Sequence, residues 1–308
     1  MSGLLVEQSL GLAQLQDAGR FGVRHLGVTQ GGALDWVAMY WANWLLGNAL
    51  TCSVIEIPLG GLVLLCEQDS TLALAGADLG ATLDEQPLQT WNSFAVRKGQ
   101  RLVFDTPRAG VRAYLAAPGG FDGPATLGSQ STVVREALGG LDGQGSTLRR
   151  GDKMLFTGTD VLRREIPHTS LPDYSSPARL SVIPGAQYSA FSALSLYQAF
   201  NHAWRIDQRA DRMGIRLVGP ELRYTGAPMI SEGIPGGAIQ VPPDGQPIVL
   251  LNDRQTIGGY PRLGALTPSA MSRLAQLATG ETARLVATDP EAARREHLEL
   301  LHGWHSPR

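Results

Sequence analysis

Apolar residues in this sequence come in short runs, and glycine, proline or small polar residues close nearly all of them. Leu62 to Cys66, Thr71 to Leu74, Arg101 to Phe104, Arg112 to Ala116 and Met154 to Thr157 are each four or five residues long. Runs of that length suit strands and are too short for helices. The chain also carries 37 glycines and 19 prolines in 308 residues. Both disfavour helix interiors, glycine by about 1 kcal/mol and proline by about 3 kcal/mol. The expected fold class is β-rich, mainly β with a few helices, built as barrels or sandwiches. A βαβ nucleotide fold does not fit the pattern.

The length is enough for two domains of ordinary size, and a hydrophobic content of 43% can fill both cores. Residues 163–178, RREIPHTSLPDYSSPA, hold three prolines and no periodicity, which marks a linker. The expected organisation is an N-terminal domain over 1–162, the linker, a C-terminal domain over 179–288, and a C-terminal helix and tail over 289–308. In the first domain a helix is expected from Asp35 to Leu46, stopped by Gly47-Asn48, with Trp36, Tyr40 and Trp44 on one stripe and Val37, Trp41 and Leu45 beside it. Nearly apolar all round, it should be buried as core or interface. In the second domain a strand is expected from Leu180 to Ile183 and helices from about Ala190 to Trp204, from Thr267-Pro268 to Gly280, and from Asp289-Pro290 to Gly303.

An internal echo favours two domains of one fold. Arg20-Phe21-Gly22-Val23-Arg24-His25-Leu26-Gly27 matches Arg212-Met213-Gly214-Ile215-Arg216-Leu217-Val218-Gly219 in its arginines, glycines and aliphatic positions. Gly-Gly-Ala and an aliphatic residue follow each copy, at 31–34 and 236–239. If the halves are alike, a pseudo-twofold cleft is the expected place for a site, with Arg20 and Arg24 facing Arg212 and Arg216.

The polar chemistry concentrates in 231–264, SEGIPGGAIQVPPDGQPIVLLNDRQTIGGYPRLG. Ala238 to Val241 and Ile248 to Leu251 read as a hairpin closed by Pro242-Pro243-Asp244-Gly245. Its second strand runs into Asn252, Asp253, Arg254, Gln255 and Thr256 and then Gly258, Gly259 and Tyr260. A rigid strand ending in polar side chains and paired glycines suits a binding site, since glycine lets backbone N–H groups approach a ligand. Together with Asp211, Arg212 and Arg216 just upstream and Gln240 in the first strand, the inventory fits an amide or lactam that also carries an anion.

Several classes are disfavoured. Charged residues are 18% and the net charge is −2, so neither nucleic acid nor an anionic membrane is an expected partner. No lysine-bearing phosphate loop, G-x-S-x-G elbow, H-E-x-x-H or Met-Lys-Met biotin-attachment tripeptide occurs. Only Lys98 and Lys153 could serve lysine chemistry. Cys52 and Cys66 are expected as buried thiols in a reducing compartment, and the absence of a signal or an 18-residue apolar run gives a cytoplasmic expectation. His297, His302 and His305 do not share a helical face, so a solvated tail is expected there and no metal.

The motifs carry a family likeness. Gln16-Asp17-Ala18-Gly19-Arg20, Gly31-Gly32-Ala33-Leu34-Asp35, Gly128-Ser129-Gln130-Ser131-Thr132, Asp211 to Gly214, Gly237 to Pro242 and Asp253 to Pro261 span nearly the whole chain. Together they resemble the biotin-dependent carboxyltransferase-like family, which includes the 5-oxoprolinase C subunit, the KipA-type antagonist of a kinase inhibitor, and allophanate hydrolase subunit 2. The resemblance implies two cyclophilin-like β-barrel domains. It also implies 5-oxoprolinase subunits of the B type (KipI-type) and of the A type as partners. ATP is implied too, bound by the chain itself or only in the complex, with no biotin on this chain. Gly31 stands where many relatives are expected to have serine, and Ile257 where threonine is usual.

The resemblance and the side-chain inventory lead to one expectation, a subunit of an ATP-dependent 5-oxoprolinase that converts 5-oxo-L-proline to L-glutamate. Asp211 is expected to orient or deprotonate the amide, and Arg212 and Arg254 to stabilise the developing anion. Gln240, Asn252, Asp253, Gln255, Gly258, Gly259, Tyr260, Arg20, Arg24, Asp35, Ser129 and Arg216 are the expected substrate-binding residues. The alternatives are a carboxyltransferase component for urea or a similar amide, served by a biotin carrier on another chain, and a non-catalytic KipA-type regulator that binds a kinase inhibitor.

Overall fold

A computed structural model of the chain describes residues 3–158 and 164–305. The expected boundary at 162–163 and the tail at 306–308 lie outside the described residues. The chain forms two compact units, one of residues 1–22 and 31–175, the other of 23–30 and 176–308. A short N-terminal segment thus belongs with the second unit, an arrangement that a division along the sequence does not express.

The first unit holds two antiparallel sheets. One has six strands in the order Lys153–Leu155, Gly3–Gln8, Leu62–Cys66, Arg101–Phe104, Thr82–Leu83 and Gln86–Pro87. The other has five, in the order Gln14–Gln16, Val54–Pro58, Ala109–Ala116, Ser70–Asp78 and Asn92–Val96. Strand periodicity explains how they share one core. Leu62, Leu64 and Cys66 of the first sheet and Ile55, Ile57, Leu72, Leu74, Ala113 and Leu115 of the second enter the same apolar cluster. Each large side chain so buried contributes roughly 1.5–3 kcal/mol.

The opposite face of the five-stranded sheet is also covered, by helix α1 (Trp36–Leu45). Ala73, Ala75 and Ala116 on that face are fully buried and small, so the helix can lie close. Val37, Ala38, Met39, Trp41, Ala42 and Leu45 of α1 are buried, whereas Trp36, Tyr40 and Trp44 are half-buried. Of the two apolar rows, Val37, Trp41 and Leu45 face inward, and the aromatic stripe is the outer edge of the helix, where Arg164 stacks 4.9 Å from the Trp44 ring.

The second unit is a closed barrel of seven strands: Ala178–Pro184, Arg262–Leu266, Ala238–Gln240, Ile248–Leu250, Gly214–Val218, Ala203–Ala210 and Thr282–Ala287, the last returning to the first in parallel. Closure removes free edges. The expected hairpin is present, with Ile239 opposite Val249 and Gln240 opposite Ile248. Helices α2 (Ala193–Asn201), α3 (Pro268–Leu274) and α4 (Pro290–His305) follow their caps: the Ser192 side chain accepts from Ser195 N and that of Thr267 from Ala270 N. α2 is shorter at both ends than expected, because Ser192 sets its start and Trp204 already belongs to a barrel strand. Trp204 is fully buried, with its indole N–H donating to Ala199 O at 2.9 Å.

The two copies of the echoed sequence fold differently. Arg24–Leu26 is a single 3-10 turn, whereas Gly214–Val218 is a barrel strand. What recurs is a left-handed glycine before alanine, Gly32 at φ 98° and Gly237 at φ 73°.

Candidate functional site

In the first unit the expected site residues are committed to internal networks. The Asp17 carboxylate accepts from Ser129 Oγ at 2.6 Å, Gln130 N at 2.7 Å, Gly19 N at 2.8 Å and Ser131 Oγ at 2.5 Å. Ser129, Gln130 and Ser131 thus enclose the Asp17 carboxylate. Arg20, 1% exposed, donates Nε to Thr126 O at 3.0 Å and Nη2 to Ser131 O at 2.6 Å. Gly31 makes room for it: at φ 67° a Cβ there would stand 3.1 Å from Arg20 Nη1, so the absence of a side chain leaves space for the guanidinium.

Asp35 is the N-cap of α1, accepting from Ala38 N at 3.0 Å and from the Tyr174 hydroxyl at 2.9 Å. Beneath it the Tyr114 hydroxyl accepts from Asp35 N and donates to Glu56, both at 2.8 Å. Full burial, with the Glu56 carboxylate next in effect, holds that phenol well above the usual tyrosine range. Asp35, Arg20 and Ser129 thus have observed work within the fold.

In the second unit, Asp211 caps the turn between the strands Ala203–Ala210 and Gly214–Val218. Its Oδ1 accepts from Met213 N at 2.8 Å and Gly214 N at 3.0 Å, and the residue is exposed. Arg212 forms a two-pronged pair with Asp253. Arg216 pairs with Asp244 in the Pro-Pro-Asp-Gly turn, which lowers the Asp244 carboxyl. These contacts tie the Asp211 turn and the hairpin to the polar row. Asn252, Gln255, Gly258 and Gly259 are half-buried around it and Tyr260 is exposed.

A different arrangement surrounds Ile234. Arg254, 3% exposed, donates Nε to Ile234 O at 3.2 Å and Nη1 to Leu251 O at 3.0 Å. Arg24, from the segment that joins this unit, also donates to Ile234 O and reaches Thr256 O at 3.1 Å. Thr29 of the same segment donates to Arg254 O at 3.4 Å. Two guanidinium groups therefore meet on one carbonyl oxygen, and among the described residues neither has a carboxylate partner. Burial pushes the Arg254 guanidinium down to about 10, and the charge of Arg24 adds to the effect.

The side chain of Ile234 packs against Gly258, and so does a buried amide without an acceptor. Gln240 is 3% exposed, and its Nε2 has no acceptor among the described residues. A Cβ on Gly258 would stand 2.9 Å from that nitrogen and 2.6 Å from Ile234 Cδ1, so only glycine fits here without displacing a neighbour. Of the expected residues, Arg24, Arg254, Gln240 and Gly258 are brought together. The hub, Ile234, is not among those expected: it acts through its carbonyl and its bulk, which carry no chemical signature in a sequence. Nor are Glu232 and Arg262, which pair at 2.5 Å. Among the described residues no group of three or more His, Cys, Asp or Glu is placed for a metal, and no helix is long and apolar enough to cross a membrane.

Two sheets sharing one core and, in the second unit, a closed seven-stranded barrel with guanidinium groups gathered on one of its loops define a β-rich protein with a cationic loop site. The chain belongs to the carboxyltransferase domain family, subdomains A and B, whose model matches residues 26–287. It is 36% identical over 284 residues to the 5-oxoprolinase C subunit of Haemophilus influenzae, covering 92% of this chain and 90% of that one. It is 37% identical over 280 residues to the 5-oxoprolinase C subunit of Escherichia coli, covering 91% and 89%. The solved urea amidolyase of Kluyveromyces lactis superposes with a TM-score of 0.92 at 25% identity, covering 98% of this chain and 20% of that one.

Proposed function

We propose that this chain is a subunit of an ATP-dependent 5-oxoprolinase that opens 5-oxo-L-proline to L-glutamate, working in the cytoplasm with a KipI-type B partner and an A-type partner. The observation that carries this reading is end-to-end similarity: the 5-oxoprolinase C subunits of two bacteria match over about nine-tenths of both chains. The chemistry agrees. A lactam presents one N–H and one C=O, and its activation places negative charge on the amide oxygen, which a fixed amide donor stabilises, while the carboxylate of 5-oxoproline calls for guanidinium groups. Arg254 and Arg24 are held in place by backbone carbonyls and have donors to spare. Arg212 is engaged by Asp253, so in this reading it braces the polar row from which Arg254 projects. ATP is a co-substrate of the assembled complex.

The test is ATP-dependent glutamate release from 5-oxoproline by this chain mixed with its B-type and A-type partners, compared with the same mixture lacking it. Activity that disappears on omission supports the reading; a complete mixture with no activity refutes it. A second reading, carboxyl transfer to urea or a similar amide, draws on the superposition with the urea carboxylase of Kluyveromyces lactis at a TM-score of 0.92. That reading requires a biotin carrier on another chain, and dependence of activity on such a carrier separates the two.

A further inference from the structure

The positive charge around Ile234 has no counterpart among the described residues of the fold. Guanidinium groups are normally placed near carboxylates, and burying one without such a partner is costly. Here two share a single neutral oxygen. The Nη2 of Arg254 bonds to no described residue, yet it is not sealed from solvent. Arg24 is only half-buried, and its hydrogen bonds use Nη2 alone. Both therefore keep N–H donors for something from outside, and the charge asks for an anion. Gln240 is the independent sign. A buried amide donor without an acceptor costs about 1–3 kcal/mol, and any apolar side chain of its size would avoid that cost.

We propose that Arg24 and Arg254 form the carboxylate-binding subsite for a small cyclic amide acid, and that Gln240 Nε2 donates to the amide carbonyl of the same molecule. The ligand's identity as 5-oxoproline rests on the 5-oxoprolinase reading; the requirement for a carboxylate rests on the unpaired guanidinium groups. Ile234 links the two halves of the subsite, its carbonyl gripped by the arginines and its side chain packed, like the Gln240 amide, against Gly258. Gly258 is packed against both side chains, so a larger residue there would crowd the Gln240 amide.

The experiment is titration calorimetry of the full chain with 5-oxoproline and with 2-pyrrolidone, the same lactam without its carboxylate. The expected result is binding of 5-oxoproline at least tenfold tighter than 2-pyrrolidone. That preference should be lost in Arg24→Gln, which removes no fully buried group, and in Arg254→Gln if it folds. Gln240→Met should bind 5-oxoproline at least tenfold more weakly while melting no lower than the parent, a combination that a structural role for the amide would not give. Equal affinity for the two lactams, no binding of 5-oxoproline, or unchanged affinity in Arg24→Gln would overturn the subsite. The glutamate-release assay judges the enzymatic reading separately. A complex that works equally well with Arg24→Gln would sink the subsite alone, while a carboxylate preference in a chain whose complex releases no glutamate would sink the reading alone.

Discussion

Arg212 and Asp253 are separated by 41 residues and meet through two parallel hydrogen bonds, Nε to Oδ2 at 3.0 Å and Nη2 to Oδ1 at 3.1 Å. Asp253 N also donates to Arg212 O at 2.9 Å, so side chains and backbone fasten the same two segments. The pair is mostly buried, with side chains 14% and 7% exposed. Removing one partner strands the other charge, at a cost of about 3 kcal/mol. Asp253→Ala should therefore lower the unfolding free energy by about that amount in urea, and Arg212→Lys should lower it less, since lysine keeps the charge but cannot make the fork. A loss well under 1 kcal/mol for Asp253→Ala would show that the pair is not a structural tie.

Asp211 presents a choice between two roles that substitutions can separate. Its carboxylate already accepts two backbone N–H groups in its own turn. Asparagine keeps the acceptor oxygen and loses the charge, whereas alanine loses both. If the turn is the whole role, Asp211→Asn should leave stability and glutamate release near parental values, and Asp211→Ala should cost about 1 kcal/mol of stability. If the carboxylate also takes a proton from the amide, Asp211→Asn should fold normally and lose activity by about a hundredfold or more. Thermal melts alongside the assay read both quantities.

Asp35 is expected to matter through stability alone. It caps α1 and accepts the Tyr174 hydroxyl. Asp35→Ala should cost about 2 kcal/mol from the lost cap and the orphaned hydroxyl together. The surviving folded protein should bind 5-oxoproline as the parent does. Weaker binding at full folding would return Asp35 to the substrate site.

How much of the fold is legible from the residues depends on where the chemistry sits. The strand Leu62–Cys66 and the hairpin around Pro242-Pro243-Asp244-Gly245 can be read because alternation and turn residues are local signals. Helix α1 is placed within a residue because Asp35 caps it and Gly47 follows it. The strand Val54–Pro58 gives no such signal: it is buried on both sides and carries Glu56 in its middle, so it lacks alternation. The role of Glu56 is visible only when Leu34 N and Tyr114 OH arrive on its carboxylate from distant positions. The same limit applies at the site. Arg20 and Arg24 occupy neighbouring positions in one motif, yet Arg20 is enclosed by carbonyls of the first unit and Arg24 belongs to the second. Composition can count guanidinium groups; only the fold shows which of them lack a carboxylate.

The two free cysteines give a test of the first unit's core that needs no substitution. Cys66 is 1% exposed within the shared apolar cluster, and burial, with a smaller contribution from the Asp84 charge, pushes its thiol up to about 11. Cys52 is half-buried and its thiol is also raised by burial. Only the thiolate is alkylated, so raising the thiol above its ordinary value shrinks the reactive fraction at every pH below it. At a pH of about 8, just under the ordinary thiol range, iodoacetamide should label Cys52 slowly and leave Cys66 unlabelled in the native protein, with both labelled promptly in urea. For Cys66 the native rate should be governed by opening of the core. Mass spectrometry of the labelled peptides would distinguish the two sites, and prompt native labelling of Cys66 would mean that the two sheets do not close over it.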